Sequence, residues 1–243
     1  MRLFGLIGYP LSHSFSKKYF TEKFEKEGLK DCSYELFSIA SINELQNVLE
    51  QNPLLCGLNV TIPYKEQVLS FLDEKDAIVK KIKACNCISI KNGKLSGHNT
   101  DAEGFERSLK TQLQPHHSKG LILGAGGAAK AVEFVLHKLG IDFKCVSRKP
   151  SVNNYSYEQL TPSVIADHTL IINTTPLGMY PKINEAPPIP YEALTPHHYL
   201  FDLVYNPEKS LFLEKGQQKG AVIKNGYEML VIQAEESWRI WNS

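Results

Sequence analysis

The stretch from Lys119 to Lys149, KGLILGAGGAAKAVEFVLHKLGIDFKCVSRK, restricts the fold more than any other. Leu121, Ile122 and Leu123 form an apolar run that breaks into Gly124, Ala125, Gly126 and Gly127. Ala131, Val132, Val135, Leu136 and Leu139 then recur at helical spacing, Gly140 supplies a C-terminal stop, and Phe143 to Val146 forms a second apolar run. The order predicts strand, glycine turn, helix and strand, one βαβ unit. Gly124 lets the strand turn sharply, Gly126 lets the backbone approach a pyrophosphate, and small Ala129 lets helix and strand pack closely. Phosphates then sit on the helix N-terminus, where amide N–H groups point outward. A glycine turn alone is a weak signal, but the strand, helix and second strand around it select a dinucleotide site over a plain structural turn.

The end of the second strand chooses between dinucleotides. NAD binders place an acidic residue about 20 positions on, to hold the ribose 2′-hydroxyl. Here Ser147, Arg148 and Lys149 occupy that place, and Ser147 stands 23 positions after Gly124. Two cations and no carboxylate point to NADP, because a guanidinium fork matches a 2′-phosphate and stacks on adenine. The plain alternative is that Arg148 and Lys149 are surface charges.

With 243 residues, 42% hydrophobic and 22% charged, the chain is expected to form two modest globular domains or one large one. Its 27 Lys and Arg face 26 Asp and Glu, so no nucleic-acid or anionic-membrane footprint is expected and any anion site must be local. Five cysteines, Cys32, Cys56, Cys85, Cys87 and Cys145, lack CxxC spacing, which argues against a disulfide framework and a zinc ribbon and fits a reducing cytoplasm. No run approaches a membrane span, and no HExxH or other metal pattern occurs. His116–His117 and His197–His198 sit in polar, Pro-containing segments and are expected to be solvated loops.

Upstream, Leu3 to Ile7 predicts a strand delivering the loop Gly8 to Ser16, followed by a helix with Phe20 and Phe24 on one face. Ser14 and Ser16 in that loop have two readings, an anion or polyol cradle and a helix N-cap. Ser33 to Phe37 predicts a second strand, Ser41 to Glu44 a capping box opening a helix to about Glu50, and Leu58 to Ile62 a third strand. Strand, helix, strand implies a mostly parallel α/β layer. At its carboxyl end Pro63 is expected to end the strand and Lys65 to enter the next helix, in the crevice where such sheets bind ligands. Cys85 to Lys91 and Lys94 to His98 flank Asn92-Gly93, a hairpin signal. Asp101 follows the return strand near a helix N-terminus, a position that capping alone explains, and Asn86 is expected across the hairpin from it.

The polar segment Leu113 to Ser118 predicts a boundary between domains. Leu170 to Asn173, Tyr199 to Leu203 and Ala221 to Lys224 predict further strands. A Pro-rich loop from Pro176 to Pro190 is expected to cover the cofactor. Glu228 to Trp241 predicts a last helix, on which Gln233 reads either as an exposed polar position or as a ligand.

Seven pieces, GYPLSHSFS, GLNVTIPYKE, GHNTDAEG, GAGGAAKA, INTTPLGM, DLVYNP and NGYEMLVIQAEESW, stand in the order of one family. Through them nearly the whole chain resembles the shikimate dehydrogenases. The resemblance implies an α/β fold with an N-terminal substrate domain over residues 1–112, a Rossmann-like NADP-binding domain over 119–226, and a C-terminal helix, 227–243, returning to the substrate domain. It implies reversible NADPH-dependent reduction of 3-dehydroshikimate to shikimate, in the pathway to chorismate and the aromatic amino acids. It implies Lys65 and Asp101 as catalytic residues, with Ser14 and Ser16 on the substrate carboxylate helped by Tyr205. Thr61, Asn86 and Gln233 are then placed around the ring hydroxyls. On the cofactor side it implies Gly124, Ala125, Gly126, Gly127 and Ala128 at the pyrophosphate, Ser147 and Arg148 with the neighbouring Lys149 at the adenosine phosphate, and Thr174, Leu203 and Gly226 at the nicotinamide.

The expected partners are small molecules, without nucleic acid or membrane, for a cytoplasmic monomer or homodimer. Lys17, Cys87 and Glu228 depart from the family pattern, where proline, threonine and a second glycine are common. Two alternatives stand beside this reading, an NAD-using quinate/shikimate dehydrogenase and a non-catalytic sensor of NADP or shikimate. Arg148 argues against the first, and the joint presence of Lys65 and Asp101 against the second.

Overall fold

The structure, a computed structural model, describes residues 1–11, 14–148 and 154–243. Lys149 lies outside the described residues. The chain divides into two compact units, one of Met1–Thr100 with Gln233–Ser243 and one of Asp101–Ile232. Both are α/β.

The first unit holds β1 (Arg2–Gly8), α1 (Phe15–Lys26), β2 (Cys32–Ser38), α2 (Leu45–Gln51), β3 (Leu55–Val60), β4 (Glu74–Lys75), α3 (Ala77–Ile82), β5 (Cys87–Lys91) and β6 (Lys94–His98). Its sheet runs β2-β1-β3-β5-β6-β4, with β1 parallel to β2 and β3, and β5 antiparallel to β3 and β6. The adjoining parallel strands β1 and β3 are buried, from Phe4 to Gly8 and from Gly57 to Val60, as expected of parallel strands covered on both faces. Asn92 and Gly93 both take positive φ, 52° and 77°, the backbone that a two-residue hairpin requires. A buried cluster gathers Phe4, Phe20, Phe24, Tyr34 and Trp241, and Trp241 Nε1 donates to the Ile88 carbonyl at 3.0 Å. Gly57 is obligatory beneath that indole, since an added Cβ would strike it.

From Asp101 on, α4 (Thr100–Lys110) opens the second unit, followed by β7 (Lys119–Leu123), α5 (Gly127–Leu139), β8 (Asp142–Val146), β9 (Asn154–Tyr155), α6 (Pro162–Asp167), β10 (Leu170–Asn173), β11 (Tyr199–Asp202), α7 (Leu211–Gln218), β12 (Val222–Lys224) and α8 (Tyr227–Trp241), of which the residues from Gln233 on belong to the first unit. Its sheet is parallel throughout, in the order β12-β11-β10-β7-β8-β9. The strand order reverses between β10 and β7, the switch point at which such sheets bind ligands. Gly140 ends α5 in the left-handed conformation at φ 69°.

Several expectations shift. β3 ends at Val60, two residues before the predicted Ile62, and Lys65 enters no helix; a turn closed by Tyr64 N–H to the Thr61 carbonyl at 2.9 Å precedes a 3-10 helix at Gln67–Phe71. Asp101 lies inside the first turn of α4 instead of capping it. The histidine pairs are not solvated throughout: His117 and His198 are 3% and 1% exposed. Each accepts a backbone N–H at Nδ1, from Gln114 at 2.9 Å and Thr195 at 3.0 Å, so a local turn folds the ring inward. All five cysteines are free thiols. Among the described residues no helix is long and apolar enough to cross a membrane, and no group of three or more His, Cys, Asp or Glu could hold a metal ion.

Candidate active site

In the first unit the predicted substrate residues gather where β1 and β3 end. The Thr61 N–H donates to the Ile7 carbonyl at 3.0 Å, and the Tyr9 N–H to the Ile62 carbonyl at 3.1 Å, so the two exit loops are stitched together. Tyr64 anchors the second loop from beneath, its hydroxyl donating to the Ile39 carbonyl at 2.6 Å. The half-buried Lys65 is fixed by its backbone, whose carbonyl accepts the Cys85 N–H at 2.8 Å next to Asn86. Ser14 is the N-cap of α1: its Oγ accepts the Lys17 N–H at 3.3 Å. The cap uses an acceptor of the hydroxyl and leaves its proton to be donated, so both readings of Ser14 are compatible.

Behind these loops lies a buried polar network. Asn86 Nδ2 donates to Thr100 Oγ1 at 2.9 Å, and Asn86 Oδ1 accepts the Thr100 N–H at 2.6 Å. Thr100 Oγ1 lies 3.5 Å from Gln233 Oε1 and 3.3 Å from Ser237 Oγ. Asn59 Nδ2 donates to Ser237 Oγ at 2.9 Å, and Asn59 Oδ1 accepts from Tyr34 at 2.8 Å. Ser16 hydrogen-bonds the same Tyr34 hydroxyl, whose burial raises its pKa well above the ordinary tyrosine value. Gln233 is therefore no exposed helix position but a buried one, 7% exposed.

In the second unit two of the residues expected at the cofactor, Gly124 and Thr174, meet at the switch point between β7 and β10. Gly124 has φ 114°, a conformation side chains resist, and a Cβ there would stand 2.5 Å from Thr174 Oγ1. Thr174 Oγ1 donates to the Leu123 carbonyl at 2.9 Å, binding the end of β10 to the end of β7. No side chain caps α5, and added Cβ atoms on Gly126 and Gly127 would meet nothing within 4 Å. Ala125 and Gly126 are exposed. An open glycine turn leading into a helix that no side chain caps fits a pyrophosphate. Ser147 is half-buried at the end of β8 and Arg148 exposed beside it, without a carboxylate at either position, which fits a 2′-phosphate. The Leu203 N–H donates to the Asn173 carbonyl at 3.0 Å, the Gly226 N–H donates to the Val204 carbonyl at 3.2 Å, and a Cβ on Gly226 would strike the Leu203 carbonyl. Burial raises the pKa of half-buried Tyr205.

The family model described as the shikimate dehydrogenase substrate binding domain matches residues 6–88. An NADP(+) shikimate dehydrogenase of Clostridium beijerinckii is 38% identical over 254 residues, covering 99% of this chain and 92% of that protein. The chain belongs to the shikimate dehydrogenase family. A shikimate dehydrogenase structure from Thermus thermophilus, in complex with NADP(H) and shikimate, matches with a TM-score of 0.87 at 30% identity, over 99% of this chain and 93% of that one. A chorismate mutase/shikimate 5-dehydrogenase fusion protein from Clostridium acetobutylicum matches with a TM-score of 0.89 at 37% identity, over 100% and 91%.

The positions at which this chain departs from the shikimate dehydrogenase pattern are each accommodated. Lys17 pairs with Glu35 at 2.5 Å. Cys87 is fully buried, its thiol pushed far above the ordinary value by desolvation. Glu228 pairs with Lys224 at 2.5 Å and accepts from Ser108 at 2.9 Å, contacts that hold its carboxyl below the usual range. Sequence reasoning missed Asn59, Asn173 and Asp202. Their signal was a polar residue inside or ending an apolar strand, in LCGLNV, LIIN and YLFD.

Proposed function

We propose that this chain catalyses the reversible NADP-dependent interconversion of 3-dehydroshikimate and shikimate, with residues 1–112 as the substrate domain, 119–226 as the NADP domain and 227–243 as a helix returning to the former. The observation that carries the reading is the way Thr100 fixes two amides. It takes Asn86 by both ends, using one of the two Nδ2 hydrogens and leaving the other to be donated, and it faces Gln233 Oε1, so both amides are held in place beside one another. Such an arrangement suits the oxygens of a polyol, and it sits beside the loop that carries Thr61 and Lys65.

NADP supplies and accepts the hydride; the chain supplies position and a proton. Lys65 as ammonium protonates the oxygen that gains charge when the ketone is reduced, and as amine it takes the hydroxyl proton in the opposite direction. Asp101, the residue after Thr100 in α4, accepts from a ring hydroxyl. Ser14 and Ser16 donate to the carboxylate with Tyr205, and Thr61, Asn86 and Gln233 hold the remaining hydroxyls. Gly124, Ala125, Gly126, Gly127 and Ala128 hold the pyrophosphate, Ser147, Arg148 and Lys149 the adenosine phosphate, and Thr174, Leu203 and Gly226 the nicotinamide side. The protein works in the cytoplasm as a monomer or homodimer.

The test follows the absorbance of reduced nicotinamide with shikimate or quinate offered alongside NADP or NAD, and Lys65→Ala as control. Turnover is expected with shikimate and NADP and is expected to collapse in the variant. Preference for quinate with NAD would replace this reading by a quinate/shikimate dehydrogenase. Cofactor binding without turnover in any combination would replace it by a sensor.

A further inference from the structure

Asp202, at the end of β11, is wholly buried, and no catalytic or binding role in the reading above uses it. Its Oδ1 accepts the Val204 N–H at 2.9 Å and Asn173 Nδ2 at 2.9 Å, and its Oδ2 accepts the Ser210 hydroxyl. Every one of these partners is a donor. Ser210 is the N-cap of α7, so its oxygen already accepts the Leu213 N–H at 3.4 Å and its proton is committed to Asp202. Asn173 in turn orders the loop after β10, accepting from the Thr175 N–H at 3.0 Å and Thr175 Oγ1 at 2.7 Å and donating to the Leu177 carbonyl at 3.3 Å. One carboxylate therefore ties together the segment containing Thr174, the segment Leu203 to Tyr205, and the start of α7. Gly226 joins the same cluster through its close approach to Leu203.

We infer that Asp202 is a positioning residue for the nicotinamide half of the cofactor site: its carboxylate sets the backbone of Thr174 and Leu203 without touching the cofactor. The inference rests on the NADP assignment made above. A buried charge is costly unless its hydrogen bonds are made, and these three are the compensation. Burial nevertheless raises its pKa to about 6. Nearby Tyr191 stays neutral, because burial first and the Asp202 charge second raise its pKa far above the physiological range. Protonated Asp202 meets donors on all three sides and must give up one of them.

The test compares two ligands that share the adenosine 2′-phosphate, NADP and 2′,5′-ADP, of which only the first has a nicotinamide. Wild-type protein at pH 7.5 is expected to bind both, with NADP the tighter; binding of neither would sink the cofactor assignment and not this inference. Asp202→Asn, which sets an amide donor against donors, is expected to weaken NADP about tenfold while 2′,5′-ADP changes less than about twofold. For the pH arm the second ligand is 2′-phospho-ADP-ribose, which keeps both the 2′-phosphate and the pyrophosphate diester of NADP and lacks only the nicotinamide. In wild type the ratio of its dissociation constant to that of NADP should fall toward one between pH 7 and 5, and titration of the shared phosphates cancels in that ratio. Should Asp202→Asn fail to fold, Ser210→Ala keeps the carboxylate and removes one donor, moving the loss of selectivity to higher pH. Equal weakening of both ligands in Asp202→Asn, or a ratio unaffected by pH in wild type, would overturn the inference.

Discussion

Thr100 contributes one N–H, one hydroxyl proton and one hydroxyl oxygen, and all three are used to orient other side chains. Thr100→Val keeps the shape and the backbone donor but leaves Asn86 Nδ2 without its acceptor in a buried place. KM for shikimate should rise about tenfold, the scale of one lost hydrogen bond, while KM for NADP stays unchanged; steady-state kinetics in both substrates checks the split. Ser14 allows its two roles to be separated in the same way. Aspartate is as good an N-cap as serine, but it sets a negative charge where a substrate carboxylate is proposed. Ser14→Asp should therefore keep the thermal midpoint of wild type and lose most activity, whereas Ser14→Ala should lose about 1 kcal/mol of stability and raise KM more than it lowers kcat. An active Ser14→Asp enzyme would leave Ser14 as a cap only. The sequence made Ser14, Asn86 and Gln233 legible as candidates through motif resemblance. It did not show Tyr34, Asn59 and Ser237 behind them, because their partners lie far along the chain: Asn59 to Ser237 spans 178 positions.

Strand, turn and helix around Gly124 were legible because each local signal agreed with its neighbours: an apolar run, glycines, a 3.6-residue pattern and a stop. The bounds of β3 were not, because in LLCGLNVTI the strand-forming Val60, Thr61 and Ile62 continue without a break up to Pro63, and side-chain pattern cannot say where pairing stops. The loop it runs into is set by long-range anchors, Cys85 N–H on the Lys65 carbonyl and Tyr64 on Ile39. The glycine turn also separates folding from binding at the level of the element. Gly126 has an ordinary φ of −88° and open space where a Cβ would go, so nothing in the fold requires it. Gly126→Ala should leave the thermal midpoint unchanged and weaken NADP by an order of magnitude or so, since the methyl occupies room that a pyrophosphate needs. Gly124→Ala should instead cost about 1–3 kcal/mol through its positive φ, with a further clash against Thr174. Calorimetry of the two variants with and without NADP distinguishes them, and a destabilised Gly126→Ala protein would mean that the turn is there for the fold.

Across the whole molecule, stability depends on pH through every group whose proton affinity changes on folding. His117 is buried, desolvation lowers its pKa from 6.5 to about 4, and the neighbouring His116 adds to the shift. Between those values the unfolded chain holds a proton that the folded chain lacks, so acidification through that window favours unfolding. Asp202 works in the opposite sense. Its pKa is raised from 3.8 to about 6, so between those values the folded chain holds the extra proton and acidification favours folding. The two windows nearly coincide, and each shift corresponds to about 3 kcal/mol at most, so in wild type they largely cancel between pH 6 and 4. Below that range carboxyls held low by their partners, Glu106 by Lys110 and Lys138 and Glu228 by Lys224, lose their contribution as pH falls. The cancellation is testable because either member can be removed. His117→Asn keeps an acceptor for the Gln114 N–H and abolishes the titration. Its urea midpoint, measured from pH 6.5 to 4.5, should climb relative to wild type as pH falls, while that of Asp202→Asn should drop relative to wild type over the same interval. Parallel curves for all three proteins would mean that neither group changes its proton affinity on folding.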